Sequence, residues 1–114
     1  MKQVKLSVLD HDSLMINHLY EGELTDETIR YIDHLGYHNL VSFKNDRILI
    51  KRNKEKYHSY LYLSKTKGLA KIKDEENEFE IDVKMLDFTS DEKMIRAVYD
   101  TGQVLEVRIE LIKE

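Results

Sequence analysis

The chain is predicted to be one all-β domain, a small antiparallel β-barrel of about eight to ten short strands with little or no helix. Three observations predict it. Residues 103–113 set Leu105, Val107, Ile109 and Leu111 on one parity and Glu106, Arg108 and Glu110 on the other, and a period of two is that of a half-buried strand. From Tyr37 onward, clusters of turn residues and short apolar runs alternate at nearly even spacing, the rhythm of consecutive hairpins. In residues 79–88 the alternation of Phe79, Ile81, Val83 and Met85 slips to Leu86 and Phe88 on the opposite parity. A β-bulge near Met85 and Leu86 would return those side chains to the core and bend the strand, as a curling sheet requires. A β-sandwich is the alternative, but it offers no reason for a bulge in mid-strand.

Taken in order, residues 2–9 carry Val4, Leu6 and Val8 on one face, and His11, Asp12 and Ser13 read as a turn. Residues 14–23, with Leu14, Ile16 and Tyr20 at even positions and His18 among them, form the next strand. Residues 24–36 are contested. Thr25 can cap a helix, Ile29, Ile32 and Leu35 recur at helical spacing, and Gly36 can end it; against that, residues 28–33 are rich in Ile, Thr and Tyr, which suit a pleated surface. Local pattern alone selects the helix.

Residues 37–44 and 47–52 make a hairpin about Asn45 and Asp46. Residues 53–56 turn the chain into residues 57–64, where Tyr60 and Tyr62 face one side and Leu61 and Leu63 the other. Residues 65–68 turn again, 69–73 form a short strand, and the acidic run 74–77 is a polar loop. After the bulged strand, residues 90–93 lead into a closing hairpin, 94–99 against 103–113, about Asp100, Thr101 and Gly102. In a closed barrel the last strand needs a second neighbour, and the alternating residues 2–9 are the candidate.

With 114 residues and no Gly-, Ser- or Pro-rich linker, the chain has room for one core. It contains no cysteine, which excludes disulfides, thiolate metal sites and a cysteine nucleophile. Residues 1–9 alternate polar and apolar where a secretory signal needs an unbroken apolar run, and no segment is long and apolar enough to span a bilayer. A cytoplasmic protein is expected, with no membrane partner. The net charge of −4 conceals a segregation: residues 1–43 hold 3 basic against 7 acidic side chains, residues 44–73 hold 10 against 2, and residues 74–114 hold 5 against 13. The basic middle third either forms a polyanion-binding face or lies beside an acidic strand in the sheet.

The run Arg47-Ile48-Leu49-Ile50-Lys51-Arg52, then a Tyr/Leu strand, Gly68, the segment from Phe79 to Val83, Ala97-Val98-Tyr99 and the closing strand together resemble the YwiB-like family of uncharacterised bacterial proteins. The resemblance covers roughly residues 44–112 in order. It departs from the family at Asn53 and Glu78, where glycine is usual. It implies a calycin-like, lipocalin-like β-barrel, and a strand rather than a helix at residues 28–33. It also implies an interior able to hold a small apolar ligand, but lends no catalytic residue. Fold alone does not assign function.

The interior ligand site is expected at Tyr20, Phe43, Tyr60, Phe79, Phe88 and Tyr99, against the plain alternative that these rings fill the barrel. A second candidate is a single-stranded nucleic-acid face made of Lys51, Arg52, Lys54, Lys56, Tyr57, Tyr62, Lys65 and Lys67, because cations interleaved with aromatic rings track a phosphate backbone and stack bases. The net negative charge weighs against nucleic acid. A protein-interaction module, as a monomer or a homodimer, is a third reading. His34 and His38, beside Asp33, have a metal-pair spacing only if they lie on a helix, and His11, His18 and His58 extend no such pattern, so no metal or other cofactor is expected. Four separated glycines exclude a phosphate loop, no serine lies in a nucleophile-elbow context, and 22 acidic residues make any one carboxylate pair uninformative. No enzymatic activity is expected.

Overall fold

The computed structural model describes residues 2–9, 17–44 and 46–112. The predicted turn at His11, Asp12 and Ser13, the residues Leu14 and Ile16, and also Asn45 and Lys113, lie outside them. Among the described residues the chain forms eleven strands: β1 (Lys2–Leu9), β2 (Asn17–Thr25), β3 (Thr28–Ile32), β4 (His38–Lys44), β5 (Arg47–Lys54), β6 (Tyr57–Ser64), β7 (Gly68–Lys73), β8 (Glu78–Asp82), β9 (Lys84–Ser90), β10 (Met94–Asp100) and β11 (Val104–Ile112). All pairings are antiparallel, in one sheet ordered β8-β7-β6-β5-β4-β3-β2-β1-β11-β10-β9. No helix among the described residues is long and apolar enough to cross a membrane.

The helical pattern of residues 24–36 gives way to strand. β3 is hydrogen-bonded along both edges, Leu24 opposite Ile29 on one side and Ile29 opposite Val41 on the other. A helix as short as the local signals allow is marginal in water, whereas the strand buries Ile29 completely. Asp26, at φ 51°, turns the chain between Thr25 and Thr28.

β11 has the two neighbours its alternation calls for. It pairs with β10 from Met94–Glu110 to Asp100–Val104, and with β1 from Lys5–Ile112 to Leu9–Arg108. Gly102, at φ 104°, makes the hairpin turn. Val107 and Ile109 enter the core, while Glu106 on the outer parity pairs with Arg96, which also reaches Asp87 at 2.9 Å.

The long strand predicted at residues 79–88 is divided at Val83. Its upper half, β8, pairs with β7, and its lower half, β9, pairs with β10. The first and last strands of the sheet order are thus consecutive along the chain, and the barrel closes through a strand that changes neighbours halfway. At the exchange point the Val83 N–H donates to the Gly68 carbonyl at 3.1 Å. The predicted bulge is present: Val98 opposes Asp87 and Tyr99 opposes Met85, leaving Leu86 without an opposite residue. Its effect differs from expectation at one residue. Phe88 returns to the core, but Leu86 turns outward and is 47% exposed, because the extra residue of a bulge takes up the slipped register itself.

A Cβ on Gly68 would lie 2.1 Å from the Val83 carbonyl oxygen, a backbone atom with no rotamer to give. Gly68→Ala is therefore expected to lower the unfolding free energy by about 3 kcal/mol, at the upper end for overpacking. Urea titration measures this, and a midpoint equal to wild type would show that the seam is not tightly closed.

The core is stacked in cross-strand rungs. Leu24, Ile29, Val41, Ile50, Leu61, Ala70 and Ile81 are successive partners across β2 to β8; this rung is apolar throughout and belongs to the core as far as Ala70, while Ile81 at its β8 end is exposed. Below it, Phe43, Ile48, Leu63 and Gly68 form another. Leu6, Ile95, Ala97 and Ile109 fill the opposite wall with no more than 1% exposure. The charge segregation is resolved by adjacency: acidic β8 lies beside basic β7, with Lys71 2.7 Å from Glu78, and Lys56 is 3.2 Å from Glu75. These exposed pairs contribute little stability, but they place the acids of the last third next to the cations of the middle third.

Candidate ligand-binding end of the barrel

One rung above the apolar layer the inner face changes character. Val4, Gly22, Tyr31, Asn39, Arg52, Ser59, Ile72 and Phe79 are successive partners from β1 to β8. Their parity is that of the core, since Arg52 follows Ile48 and Ile50, and Ile72 follows Gly68 and Ala70. This end carries the β3–β4, β5–β6 and β7–β8 connections. On its β8 side, apolar residues that face inward are open to solvent: Ile72 is 41%, Phe79 64% and Ile81 47% exposed.

Asp33, in the β3–β4 connection, organises the polar half of this end. Its Oδ1 accepts from the backbone N–H groups of Leu35 and Tyr37, each at 3.0 Å. Its Oδ2 accepts from Asn39 Nδ2 at 3.1 Å, from Arg52 Nε at 3.1 Å and from Arg52 Nη2 at 2.8 Å. Burial pushes the Asp33 carboxyl up, but the hydrogen bonds from Asn39, Tyr37 and Arg52 and the guanidinium charge outweigh it and hold the acid below its ordinary value. The guanidinium lies over the Tyr37 ring at 4.3 Å. Lys54 donates to the Leu35 carbonyl at 2.7 Å, with its ammonium 5.4 Å from the same ring.

Two aromatic pairs flank this network. Tyr20 stacks on Tyr31 at 5.2 Å and on His34 at 6.2 Å, with its hydroxyl 2.7 Å from His34 Nδ1, and Tyr57 meets Tyr37 edge-on at 5.4 Å. Tyr20, Tyr37 and Tyr57 are each half-buried.

Of the six residues expected to line the interior, Tyr20, Phe43, Phe88 and Tyr99 face it. Phe43 lies in the lowest rung, next to Ile48, and Tyr99 is 5% exposed, so these two help to fill the barrel. Tyr60 is a correction: it alternates with the core-facing Leu61 and Leu63 and stands on the outer wall, opposite Lys51 and Lys71. Phe79 has the inner parity but lies at the open rim rather than inside.

The eight residues of the nucleic-acid candidate do not share a face. Lys51 and Tyr62 are on the outer wall, while Arg52, Lys54 and Tyr57 belong to the inner cluster just described. Lys56 turns the chain at this end, and Lys65 and Lys67 lie in the β6–β7 turn at the other end. Alternation along a strand separates neighbours such as Lys51 and Arg52. The β3–β4 connection likewise separates His34, stacked on Tyr20, from His38 on the outer wall opposite Asn53. His58 bonds Asn53 at 2.7 Å, His11 lies outside the described residues, and among those residues no group of three or more His, Asp or Glu could hold a metal ion.

Sequence reading missed the roles of Asp33, Asn39, Tyr31, Tyr37, Ser59, Ile72 and Ile81. The signal for Asn39 was available: a polar side chain at a core-parity position of a strand implies a buried partner. A broad groove of about 600 Å³ crosses the outer wall of β1 to β5, lined by Glu21, Glu23, Arg30 and His38. Its charges oppose one another, Glu23 being the register partner of Arg30.

No protein-family model matches the chain, and no curated protein matches it. Among solved structures the chain is similar to the ywiB protein from Bacillus subtilis, with 15% sequence identity, a TM-score of 0.63, and coverage of 97% of this chain and 91% of that chain. The expected YwiB-like barrel is thus present as a fold, over 97% of the chain.

Proposed function

We propose that the protein is a small-molecule binding protein, not an enzyme, and that it takes an apolar ligand at the open end of the barrel above the Leu24–Ile81 rung. The observation that carries this reading is the exposure of Ile72, Phe79 and Ile81 on inward-facing positions. Apolar side chains at core parity are covered in a filled barrel, and a concave apolar surface with a few converging polar groups is the usual form of a ligand site. A binding role is further supported by Asp33 and Arg52, whose mutual hydrogen bonds suit a fixed wall better than proton transfer. The bacterial source of the fold relative and the cysteine-free sequence support a bacterial, cytoplasmic setting.

The test uses a neutral dye, N-phenylnaphthylamine, whose fluorescence rises in apolar surroundings. The wild-type protein is expected to bind it saturably. Ile81→Asp should abolish the signal, and Leu86→Asp, which charges an exposed apolar residue on the outer side of the same seam, should leave it. No enhancement with wild type, or equal enhancement with both variants, refutes the site.

A further inference from the structure

We infer that the ligand is an amphipathic carboxylate, with its head group at Arg52 and its alkyl chain along Ile72, Phe79 and Ile81. This rests on the binding reading above and adds the chemical class of the ligand. It follows from the order of residues along one rung. Asn39, Arg52, Ser59, Ile72 and Phe79 are consecutive cross-strand partners from β4 to β8, so the inner face passes from a guanidinium and a hydroxyl to aliphatic and aromatic surface. The path from β5 to β8 covers three strand spacings, about 14 Å. A molecule with one polar end and one extended apolar end matches that gradient; a wholly apolar one would leave Ser59 and the Arg52 N–H groups not bonded to Asp33 facing hydrocarbon, which is unfavourable for polar groups.

The exposed side of the ion pair sets the sign of the head group. The Asp33 side chain is 6% exposed and that of Arg52 29%, so the carboxylate is covered while the cation keeps an exposed edge. Arg52 directs two of its five N–H groups to Asp33, and its guanidinium carbon lies 4.3 Å from the centroid of the Tyr37 ring. Within this cluster Arg52 and Lys54 are balanced by one carboxylate, Asp33, which leaves one surplus positive charge in a protein whose net charge is −4. The Arg52 N–H groups not bonded to Asp33 offer a planar donor edge, and with the surplus charge of Lys54 beside it this suits a monovalent, planar carboxylate. A dianionic phosphate would exceed that charge.

Decanoate and decanol, which share chain length and differ in the head group, test this on the wild-type protein by isothermal titration calorimetry at neutral pH. Decanoate is expected to bind at least tenfold more tightly than decanol. The triple variant Asp33→Asn/Arg52→Met/Lys54→Met removes the ion pair together, so that no buried ion is stranded, and the surplus charge of Lys54 with it, and should bring decanoate down to the affinity of decanol. Equal affinity of the two compounds for wild type, or undiminished preference for decanoate in the triple variant, overturns the head-group assignment and leaves the apolar site standing. Failure of both compounds to bind overturns the binding reading as well.

Discussion

Asp33→Ala is expected to lower the unfolding free energy by about 3 kcal/mol, because it strands a partly buried guanidinium. Arg52 loses both hydrogen bonds it makes to the carboxylate, and the Leu35 and Tyr37 N–H groups and the Asn39 amide lose their acceptor with it. A small domain is stable by about 5–15 kcal/mol, so the loss is a large share of the total. Urea unfolding at neutral pH measures it, and a change below about 0.5 kcal/mol, the range of ordinary surface substitutions, would show that the cluster is not structural.

The same carboxylate shapes the acid limb. Its folded-state acidity is stronger than the ordinary value of 3.8. Below that value the unfolded chain takes up the proton before the folded one does, and stability falls as pH falls. The Asp33 contribution is therefore complete above about pH 4 and is lost on acidification through the lowered folded-state pKa. Asp33→Asn removes the titrating group, and its stability is expected to depend less on pH below 4 than that of wild type. Parallel acid limbs for the two proteins would contradict the assignment.

Removal of residues 104–114 is expected to abolish cooperative folding. β11 hydrogen-bonds to β1 and to β10, so its loss opens the sheet between them and leaves two new unpaired edges in place of continuous pairing. It also removes Val107 and Ile109, both buried, and uncovers their cross-strand partners Val8, Ile95 and Ala97. Two buried aliphatic side chains contribute about 3–6 kcal/mol by area alone, before the lost backbone hydrogen bonds are considered. Differential scanning calorimetry on the shortened chain should show no cooperative transition; a retained sharp melt would mean that the remaining strands form a self-sufficient unit.

The closing strand was legible because its information is local. Alternation of Leu105, Val107, Ile109 and Leu111 with charged residues specifies a strand and its buried face without reference to anything else, and the need to close a barrel then points to residues 2–9. The bulge was legible for the same reason, since a slip in parity is visible in the sequence itself. The polar cluster at the open end of the barrel was not. Asp33 and Arg52 are separated by 19 residues and meet because β3, β4 and β5 are consecutive in the sheet. The list of basic and aromatic residues in 51–67 was right in composition, yet strand alternation divides it between the inner and outer walls.

What the sequence by itself determined is the all-β class, the position of most strands and turns, and the parity of the core, all of which follow from the two-residue period of the pleat. Tertiary structure decided three further matters. Residues 28–32 became a strand because pairing on both edges outweighs a weak local helix signal. Residues 78–90 were divided at Val83 because closure requires that strand to leave β7 for β10. The inward-facing Phe79 and Ile81 remained open while Asn39 and Ile29, on the same two rungs, were covered, since β8 pairs only with β7 and exposure depends on a strand's neighbours as well as on parity.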